Sequence, residues 1–208
     1  MYYKNREEAG QKLAEALSDY KNRKDVIVLG LARGGVIIAA TIGKALHLSY
    51  DLIMVRKVGA PSNPELAIGA ITETGKGYFN EELIHALNVP QDYLDHAIEL
   101  EKAHAEKMLS LYRKNRTAPN LKGKTIILVD DGIATGATMI AAVRFSRASG
   151  AKEVIVATPV APPDTLKHIE PVADTLICLY STDDFQGVSQ FYAVFPQAED
   201  QEIIELLA

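Results

Sequence analysis

Short apolar runs alternate along this chain with segments of helical periodicity. The runs have the length of strands that are buried on both faces of a sheet. They lie at 26–29, 52–55, 125–129, 154–157 and 175–179. The segments with helical spacing lie at 7–20, 36–47, 137–149, 163–170 and 199–207. This alternation predicts an α/β fold, Rossmann-like, with a mostly parallel sheet flanked by helices.

Two segments interrupt the alternation. Residues 56–79 are dense in Gly, Pro, Ser and Asn, which predicts a long loop holding a short strand at 66–71. Residues 80–117 predict a helical insertion of two helices, the second opened by Pro90. The chain has 208 residues, which favours a single domain over 1–208, with 180–208 as a small C-terminal segment.

The composition indicates a globular protein and argues against nucleic-acid and membrane partners. Hydrophobic residues make up 48% and charged residues 24%, as in ordinary globular proteins. The formal charge of −5 argues against a nucleic-acid partner, which favours a basic surface. No apolar run approaches the ~18 residues of a membrane span, and Cys178 has no second cysteine to pair with. We therefore expect a soluble, cytoplasmic protein with no membrane partner.

The strongest chemical signal is the sequence Val-Asp-Asp-Gly-Ile-Ala-Thr-Gly-Ala-Thr at 129–138. It follows a predicted strand and opens a predicted helix, whose N-terminal N–H groups suit a phosphate. Asp130 and Asp131 would repel an anion but suit the two hydroxyls of a diol. A phosphate seat beside a diol clamp describes a ribose 5-phosphate. The alternative is an ordinary helix cap followed by a Thr-Gly turn.

Residues 126–138 resemble the phosphoribosyl-diphosphate (PRPP) signature of the type I phosphoribosyltransferases. Gly132 departs from the apolar residue that is usual at its position. Residues 31–35, Leu-Ala-Arg-Gly-Gly, stand where that family carries its diphosphate loop. Residues 55–65 and the tail 191–195 are similar to a subgroup of bacterial members whose acceptor is uncertain. The resemblance covers nearly the whole chain and implies the type I phosphoribosyltransferase fold, with 180–208 as a hood segment over the site.

The resemblance also implies roles for individual residues. Asp130 and Asp131 would hold the ribose hydroxyls, directly or through water and Mg²⁺, and with Arg33 they would be catalytic. Mg²⁺ would bind mostly with PRPP, with no direct protein ligand beyond these two acids. The 5-phosphate would be bound by Ala134, Thr135, Gly136, Ala137 and Thr138. The diphosphate would be bound by Ala32, Arg33, Gly34, Arg56 and Lys57, although Arg56 and Lys57 could also be plain surface cations.

Further expectations concern the surroundings of the site. Phe185 and Tyr192 would either stack on a base or simply pack in the hood. The peptide bond between Ala32 and Arg33 would be cis, and residues 58–77 would close over the site. Asp131→Asn would leave the fold intact, because acids at strand ends face solvent. Ala134 stands where family members that use 6-oxopurines carry an acid, so hypoxanthine and guanine would be poor acceptors.

The function implied is that of a Mg²⁺-dependent pentosyltransferase of nucleotide metabolism. It would move 5-phosphoribose from PRPP to a small nitrogenous acceptor, such as a nucleobase, and release diphosphate. Two alternatives stay open: a PRPP-sensing regulator without turnover, and a hydrolase of phosphoribosyl compounds. The sequence does not identify the acceptor, and the family implies a homodimer without proving one.

Overall fold

The computed structural model describes residues 2–114 and 116–208, and the side chain of Glu65 lies outside that description. Met1 of the predicted domain and Asn115 of the predicted insertion also lie outside the described residues.

No helix in the described part is both long and apolar enough to cross a membrane. In chain order the elements are α1 (Arg6–Ala16), β1 (Val26–Leu31), α2 (Gly34–Leu46), β2 (Ser49–Ile53), β3 (Val55–Ala60), β4 (Asn63–Thr72), β5 (Gly77–Phe79), α3 (Glu81–Ala86), α4 (Gln91–Arg113), β6 (Thr125–Val129), α5 (Ala137–Ala148), β7 (Glu153–Ala161), α6 (Pro163–Ile169), β8 (Thr175–Ser181) and α7 (Asp200–Leu207).

Five parallel strands form the central sheet, in the order β2-β1-β6-β7-β8. Leu29 of β1 lies beside Leu128 of β6, which lies beside Val156 of β7. Every residue of β1 and of β6 is buried. Strands are apolar throughout where helices cover both faces of a sheet. The predicted α/β fold class, with a mostly parallel sheet flanked by helices, is therefore confirmed.

Helices pack on both faces of this sheet. Val28 points to one face, where it packs in a buried cluster with Leu13 of α1 and Ile38 of α2. Its neighbour Leu29 points to the other face and packs in a cluster with Met139 of α5. Each fully buried side chain of this size contributes roughly 1.5–3 kcal/mol through the hydrophobic effect. The two clusters hold the carboxyl ends of the strands in fixed places.

Residues 55–79 form a second, antiparallel sheet in the order β3-β4-β5, where the sequence predicted a long loop. Gly59, Gly69 and Gly77 serve instead as sites of close approach between strands, whereas Gly75, with φ +75°, lies in the turn between β4 and β5. A Cβ at Gly77 would overlap the carbonyl oxygen of Ala70 on the next strand, and the pairing of β3 with β4 shifts register at Gly59. The strand predicted at 52–55 is divided, because β2 ends at Ile53 and β3 begins at Val55.

The predicted insertion does contain two helices, α3 and α4. Leu94 of α4 packs in one buried cluster with Ile68 of the small sheet. The Tyr93 hydroxyl donates a hydrogen bond to the carbonyl oxygen of Gly59 at 2.9 Å. The far end of α4 packs on α7 through Tyr112. The insertion thus gives the small sheet a core of its own and ties it to the C-terminal helix.

Tyr3, near the start of the chain, pairs with residues 191–193. The N–H of Tyr3 donates to the carbonyl oxygen of Phe191 at 2.8 Å, and the N–H of Ala193 donates back to the carbonyl oxygen of Tyr3 at 2.8 Å. The Tyr3 and Tyr192 rings pack with their centroids 5.4 Å apart. This pairing holds the hood segment, residues 180–208, beside the start of α1.

Candidate active site

A cavity of about 270 Å³ opens at the carboxyl ends of β1 and β6. Ligands of open parallel sheets bind at this edge. The lining residues come from the central sheet with its loops, from β3 and from the hood segment. They are Leu31, Ala32, Val55, Lys57, Asp130, Gly132, Ile133, Ala134, Thr135, Gly136, Thr138 and Val188.

The loop 132–136 carries the chain from β6 into α5. Its shape is held by two hydrogen bonds, from the N–H of Ile133 to the carbonyl oxygen of Val160 at 2.9 Å and from the Thr165 hydroxyl to the carbonyl oxygen of Ala134 at 2.6 Å. Gly136 has φ +81°, a conformation that side chains disfavour, directly before α5 begins. Gly136 and Thr138, at the start of α5, line the cavity, and the N–H groups of a helix's first turn lack partners within the helix, which suits a phosphate.

The two adjacent acids lie in different surroundings. Asp130 lines the cavity, and its Oδ1 accepts a hydrogen bond from the N–H of Asp131 at 2.9 Å. Asp131 is not among the lining residues, because its Oδ2 pairs with Nε of Arg6 at 2.7 Å. The Asp131 side chain is only 14% exposed. The expectation that it faces solvent was wrong, since α1 and the hood segment cover this strand end.

Burial governs the ionisation of both acids. It raises the pKa of Asp130 well above its ordinary value, and the negative charge of Asp131 raises it further. The hydrogen bond from the Asp131 N–H, the Arg6 guanidinium and the Lys57 ammonium act in the opposite direction. Burial also raises the pKa of Asp131, although its ion pair with Arg6 opposes this shift. The cavity thus contains a carboxyl that takes up a proton more readily than an ordinary aspartate.

The loop 31–35 packs directly against the two acids. A Cβ at Gly34 would overlap the Asp131 carboxylate, and a Cβ at Gly35 would lie 2.6 Å from the carbonyl oxygen of Val129. Both positions therefore require glycine. The peptide bond between Ala32 and Arg33 is cis, as the resemblance implies.

The cations expected to bind diphosphate are placed differently from one another. Lys57 lines the cavity. Arg33 instead pairs with Asp200 of α7 at 3.3 Å, and Arg56 pairs with Glu101 of α4 at 2.7 Å. Neither arginine is among the lining residues. The sequence indicated that Arg56 and Lys57 lie at the end of the second strand of the central sheet. They lie instead on β3 of the small sheet.

The aromatic residues of the hood segment pack against the core. Tyr192 is 3% exposed, its hydroxyl donates to the carbonyl oxygen of Asp131 at 2.6 Å, and its ring lies 4.8 Å from that of Phe195. Tyr192 therefore packs in the hood segment, which is the alternative to stacking on a base that the sequence left open. Phe185 packs against Phe191 with ring centroids 5.4 Å apart and does not line the cavity.

Sequence reasoning missed two kinds of site residue. Val188 and Val55 line the cavity, but isolated aliphatic residues carry no chemical signal in a sequence. Arg6 contacts Asp131 from a position 125 residues away along the chain. The fold alone brings these residues together.

The donor set of the cavity fits Mg²⁺ of the kind that the resemblance implies. Asp130 supplies a hard carboxylate, and Mg²⁺ is commonly bound through one or two carboxylates together with substrate phosphates and waters. Among the described residues, no group of three or more His, Cys, Asp or Glu could hold a metal ion by itself. The residues present therefore suit a cation that arrives with a phosphorylated ligand.

Comparison with known proteins agrees with this geometry. The family model for the phosphoribosyl transferase domain matches residues 1–195. Two Mycobacterium tuberculosis proteins, provisionally named phosphoribosyl transferases, are each 36% identical over 205 residues, which is 99% of this chain and 46% of theirs. The chain therefore spans about half the length of these relatives.

Solved structures show the same fold. The protein TT1426 from Thermus thermophilus is 35% identical, with a TM-score of 0.85 over 100% of this chain and 98% of its own. A purine phosphoribosyltransferase from Pyrococcus horikoshii shares the fold at 23% identity, with a TM-score of 0.50 over 92% of this chain and 87% of its own. From the family match over residues 1–195, the chain belongs to the phosphoribosyl transferase domain family.

Proposed function

We propose that this protein transfers 5-phosphoribose from PRPP to a small nitrogenous acceptor and releases diphosphate. The observation that carries this proposal is a single cavity in which Asp130 lies beside the loop that opens α5. A carboxylate suits the ribose hydroxyls, and the helix N-terminus suits the 5-phosphate. Asp130 and the N-terminus of α5 thus match the hydroxyls and the phosphate of one ribose 5-phosphate.

Each part of the cavity has a role in this proposal. The 5-phosphate binds at Ala134–Thr138, where the N–H groups of α5 and the hydroxyls of Thr135 and Thr138 are donors. Asp130 accepts hydrogen bonds from the ribose hydroxyls. The diphosphate lies toward the loop 31–35 and Lys57. When bound, Mg²⁺ would neutralise charge on the diphosphate, with Asp130 placed to hold it through water.

The reaction needs positioning and charge stabilisation. The bond from the anomeric carbon to the diphosphate oxygen breaks, and a bond from that carbon to an acceptor nitrogen forms. The diphosphate leaves with the electron pair of the broken bond, and the proton lost by the acceptor nitrogen passes to the departing diphosphate or to water. Lys57 and the N–H of Gly34 favour the growing negative charge, since the N–H of Ala32 already donates to the carbonyl oxygen of Ile53, while the phosphate loop and Asp130 hold the ribose in place. No covalent intermediate with the protein is required.

The test is incubation of the protein with PRPP and Mg²⁺, with and without a panel of nucleobases and other nitrogenous compounds. We expect diphosphate release that depends on the acceptor, and a large loss of it in Asp130→Asn. Release without any acceptor would indicate a hydrolase. Binding of PRPP without release would indicate a sensor and would overturn the proposed transfer.

A further inference from the structure

A second cavity, of about 180 Å³, lies beside α5. The described residues that line it are all different from those that line the cavity of the candidate active site. Its polar lining includes Glu73, directly after β4, and Arg113, the last residue of α4. The apolar side chains that line it include Leu29, Leu52, Leu121 and Phe145. We call it the Glu73 cavity.

Glu73 carries a carboxylate oxygen without a hydrogen-bond partner. Its Oε2 atom is shielded from solvent, and no donor among the described residues reaches it. Burial raises the pKa of this carboxyl and the charge of Asp51 adds to the shift, whereas the backbone N–H of Glu73 and the Arg113 guanidinium oppose it. A sheltered carboxylate that lacks a donor costs free energy, so it favours any donor that enters the cavity.

The other two charges at this cavity compensate each other. Nε of Arg113 pairs with Oδ1 of Asp51 at 3.3 Å, and these side chains are only 13% and 6% exposed. Nη2 of Arg113 donates to the carbonyl oxygen of Leu52 at 3.0 Å. Arg113 is therefore already engaged, and the ionised Glu73 remains without an ion pair in the described part of the chain. The net charge at the cavity thus favours a cation over an anion.

The size and the apolar lining indicate what kind of cation would fit. An apolar cavity of about 150 Å³ holds a benzene ring, and the Glu73 cavity is of this size class. A ring against Leu29 and Phe145 would be removed from water, which is favourable. The last torsion of a glutamate side chain is soft, so the carboxylate can turn an oxygen toward an ammonium group on that ring.

We propose that the Glu73 cavity binds a compact organic ammonium compound, whose ring-sized apolar body lies against Leu29 and Phe145 and whose ammonium group donates to the Glu73 carboxylate. This site goes beyond the proposed transfer reaction and does not depend on it, because the ligand is held by residues that the reaction does not use.

The experiment compares three probes of one shape and different charge. Benzylammonium, neutral benzyl alcohol and anionic benzoate are each titrated into the ¹⁵N-labelled protein without PRPP, and the backbone N–H signals are followed by NMR. We expect benzylammonium to shift the signals of Glu73, Leu52 and Ser149, which line the cavity. Because one charged hydrogen bond distinguishes the probes, it should bind about tenfold or more tightly than benzyl alcohol, and benzoate should bind no better than the alcohol.

Three variants test the residues that form the site. Glu73→Gln should weaken the binding of benzylammonium about tenfold or more and leave that of benzyl alcohol unchanged. Ser149→Leu should weaken both probes, because it adds volume to the lining of the cavity. Glu15→Gln is the matched control, since Glu15 is an exposed glutamate on α1, which packs on the other face of the central sheet, and it should bind both probes as the wild type does.

Thermal unfolding of each variant shows that folded proteins are compared, and the three probes and Ser149→Leu decide the question if Glu73→Gln does not fold. The proposal would be overturned by no saturable binding of benzylammonium, or by equal or tighter binding of benzyl alcohol or benzoate. An unchanged affinity for benzylammonium in folded Glu73→Gln, or shifts confined to signals away from the cavity, would overturn it as well. None of these results bears on the proposed transfer, which is tested with PRPP.

Discussion

At the scale of single residues, Asp130 and Asp131 show how neighbours in sequence come to lie in different surroundings. One lines the cavity, and the other is paired with Arg6 on the far side of the same strand end. The motif at 129–138 was enough to locate the acids and the loop that opens α5. It could not show that Asp131 is covered, because the covering groups come from both ends of the chain. Those contacts depend on the fold and leave no local trace in the sequence.

The ionisation of Asp130 leads to a pH dependence. Its raised pKa means that the carboxyl takes up a proton at a higher pH than the ordinary value of about 3.9. A protonated carboxyl accepts hydrogen bonds from the ribose hydroxyls poorly, so PRPP affinity falls as the pH drops through this raised pKa. Asp130→Asn should bind PRPP about 10- to 100-fold more weakly at neutral pH, from one charged hydrogen bond of roughly 1.5–3 kcal/mol, and should lose this acid limb.

Calorimetric titrations of both proteins over an acidic to neutral pH series would measure this effect. Inorganic diphosphate without Mg²⁺ is the control ligand, since it has no diol and brings no metal for Asp130 to hold, and Asp130→Asn should bind it about as well as the wild type does. If the PRPP affinities of the wild type and of Asp130→Asn changed with pH in the same way, that result would contradict the role of Asp130.

Asp131→Asn tests the burial of its ion pair. From the sequence we expected an unaffected fold, but the structure predicts a loss of stability. The variant leaves the Arg6 guanidinium, which is 9% exposed, without its charged partner. Breaking a buried pair from one side costs about 3–5 kcal/mol. We expect a loss near the lower end, about 3 kcal/mol in the free energy of unfolding, because asparagine keeps an oxygen that can accept from Arg6.

Urea unfolding would measure the difference. Asp164→Asn is the control, since Asp164 pairs with Lys167 on the surface with 83% of its side chain exposed, and its unfolding midpoint should not move. Equal midpoints for Asp131→Asn and the wild type would show that the strand end is more open than its contacts indicate.

At the scale of helices and strands, the sequence predicted the buried strands of the central sheet and missed the small sheet. The central strands were predictable because burial on both faces leaves a plain apolar run, as in Thr125–Val129. The small sheet was missed because Gly59, Gly69 and Gly77 serve close strand contacts, which local sequence does not distinguish from turns. Lys57 lies on β3 of this small sheet and reaches the cavity from there, and not from the end of a central strand.

Helix α7 leads to a prediction about the diphosphate loop. Asp200, the first residue of α7, accepts from Arg33 at 3.3 Å and from the Tyr112 hydroxyl of α4 at 2.7 Å. If Arg33 binds diphosphate, it must first leave Asp200. An exposed pair of this kind contributes about 0.2–1 kcal/mol, so Asp200→Asn should bind inorganic diphosphate up to about fivefold more tightly.

Tyr112→Phe is the matched control for this prediction. It removes the second hydrogen bond to Asp200 and leaves the pair with Arg33 intact, so the affinity for diphosphate should not change. Calorimetry with diphosphate and Mg²⁺ would compare the three proteins. Weaker binding in Asp200→Asn would show that Asp200 instead orients Arg33 toward the ligand.

At the scale of the whole molecule, the cavity is assembled from three parts of the chain. The central sheet supplies Asp130 and Ala134, the small sheet supplies Val55 and Lys57, and the hood segment supplies Val188. In the proposed reaction, an acceptor that enters beside Val55 and Val188 meets apolar side chains of the cavity walls. The chemical identity of the acceptor therefore depends on residues that are far apart in sequence, which is why the signature motif predicts the PRPP end of the cavity better than the acceptor end.

The character of these walls decides which acceptors are used well. A site that discriminates strongly needs groups that hydrogen-bond the substrate. Ala134 offers a methyl group at the position where, by the family resemblance, enzymes that use 6-oxopurines carry an acid to accept the proton. Among the described residues that line the cavity, Asp130 and Lys57 carry charge, and in the proposed mode both serve PRPP. Hypoxanthine and guanine should therefore be poor acceptors, with kcat/KM below about 10⁴ M⁻¹s⁻¹ in steady-state assays with PRPP and Mg²⁺. Efficient turnover of either base would mean that groups outside this cavity activate the purine.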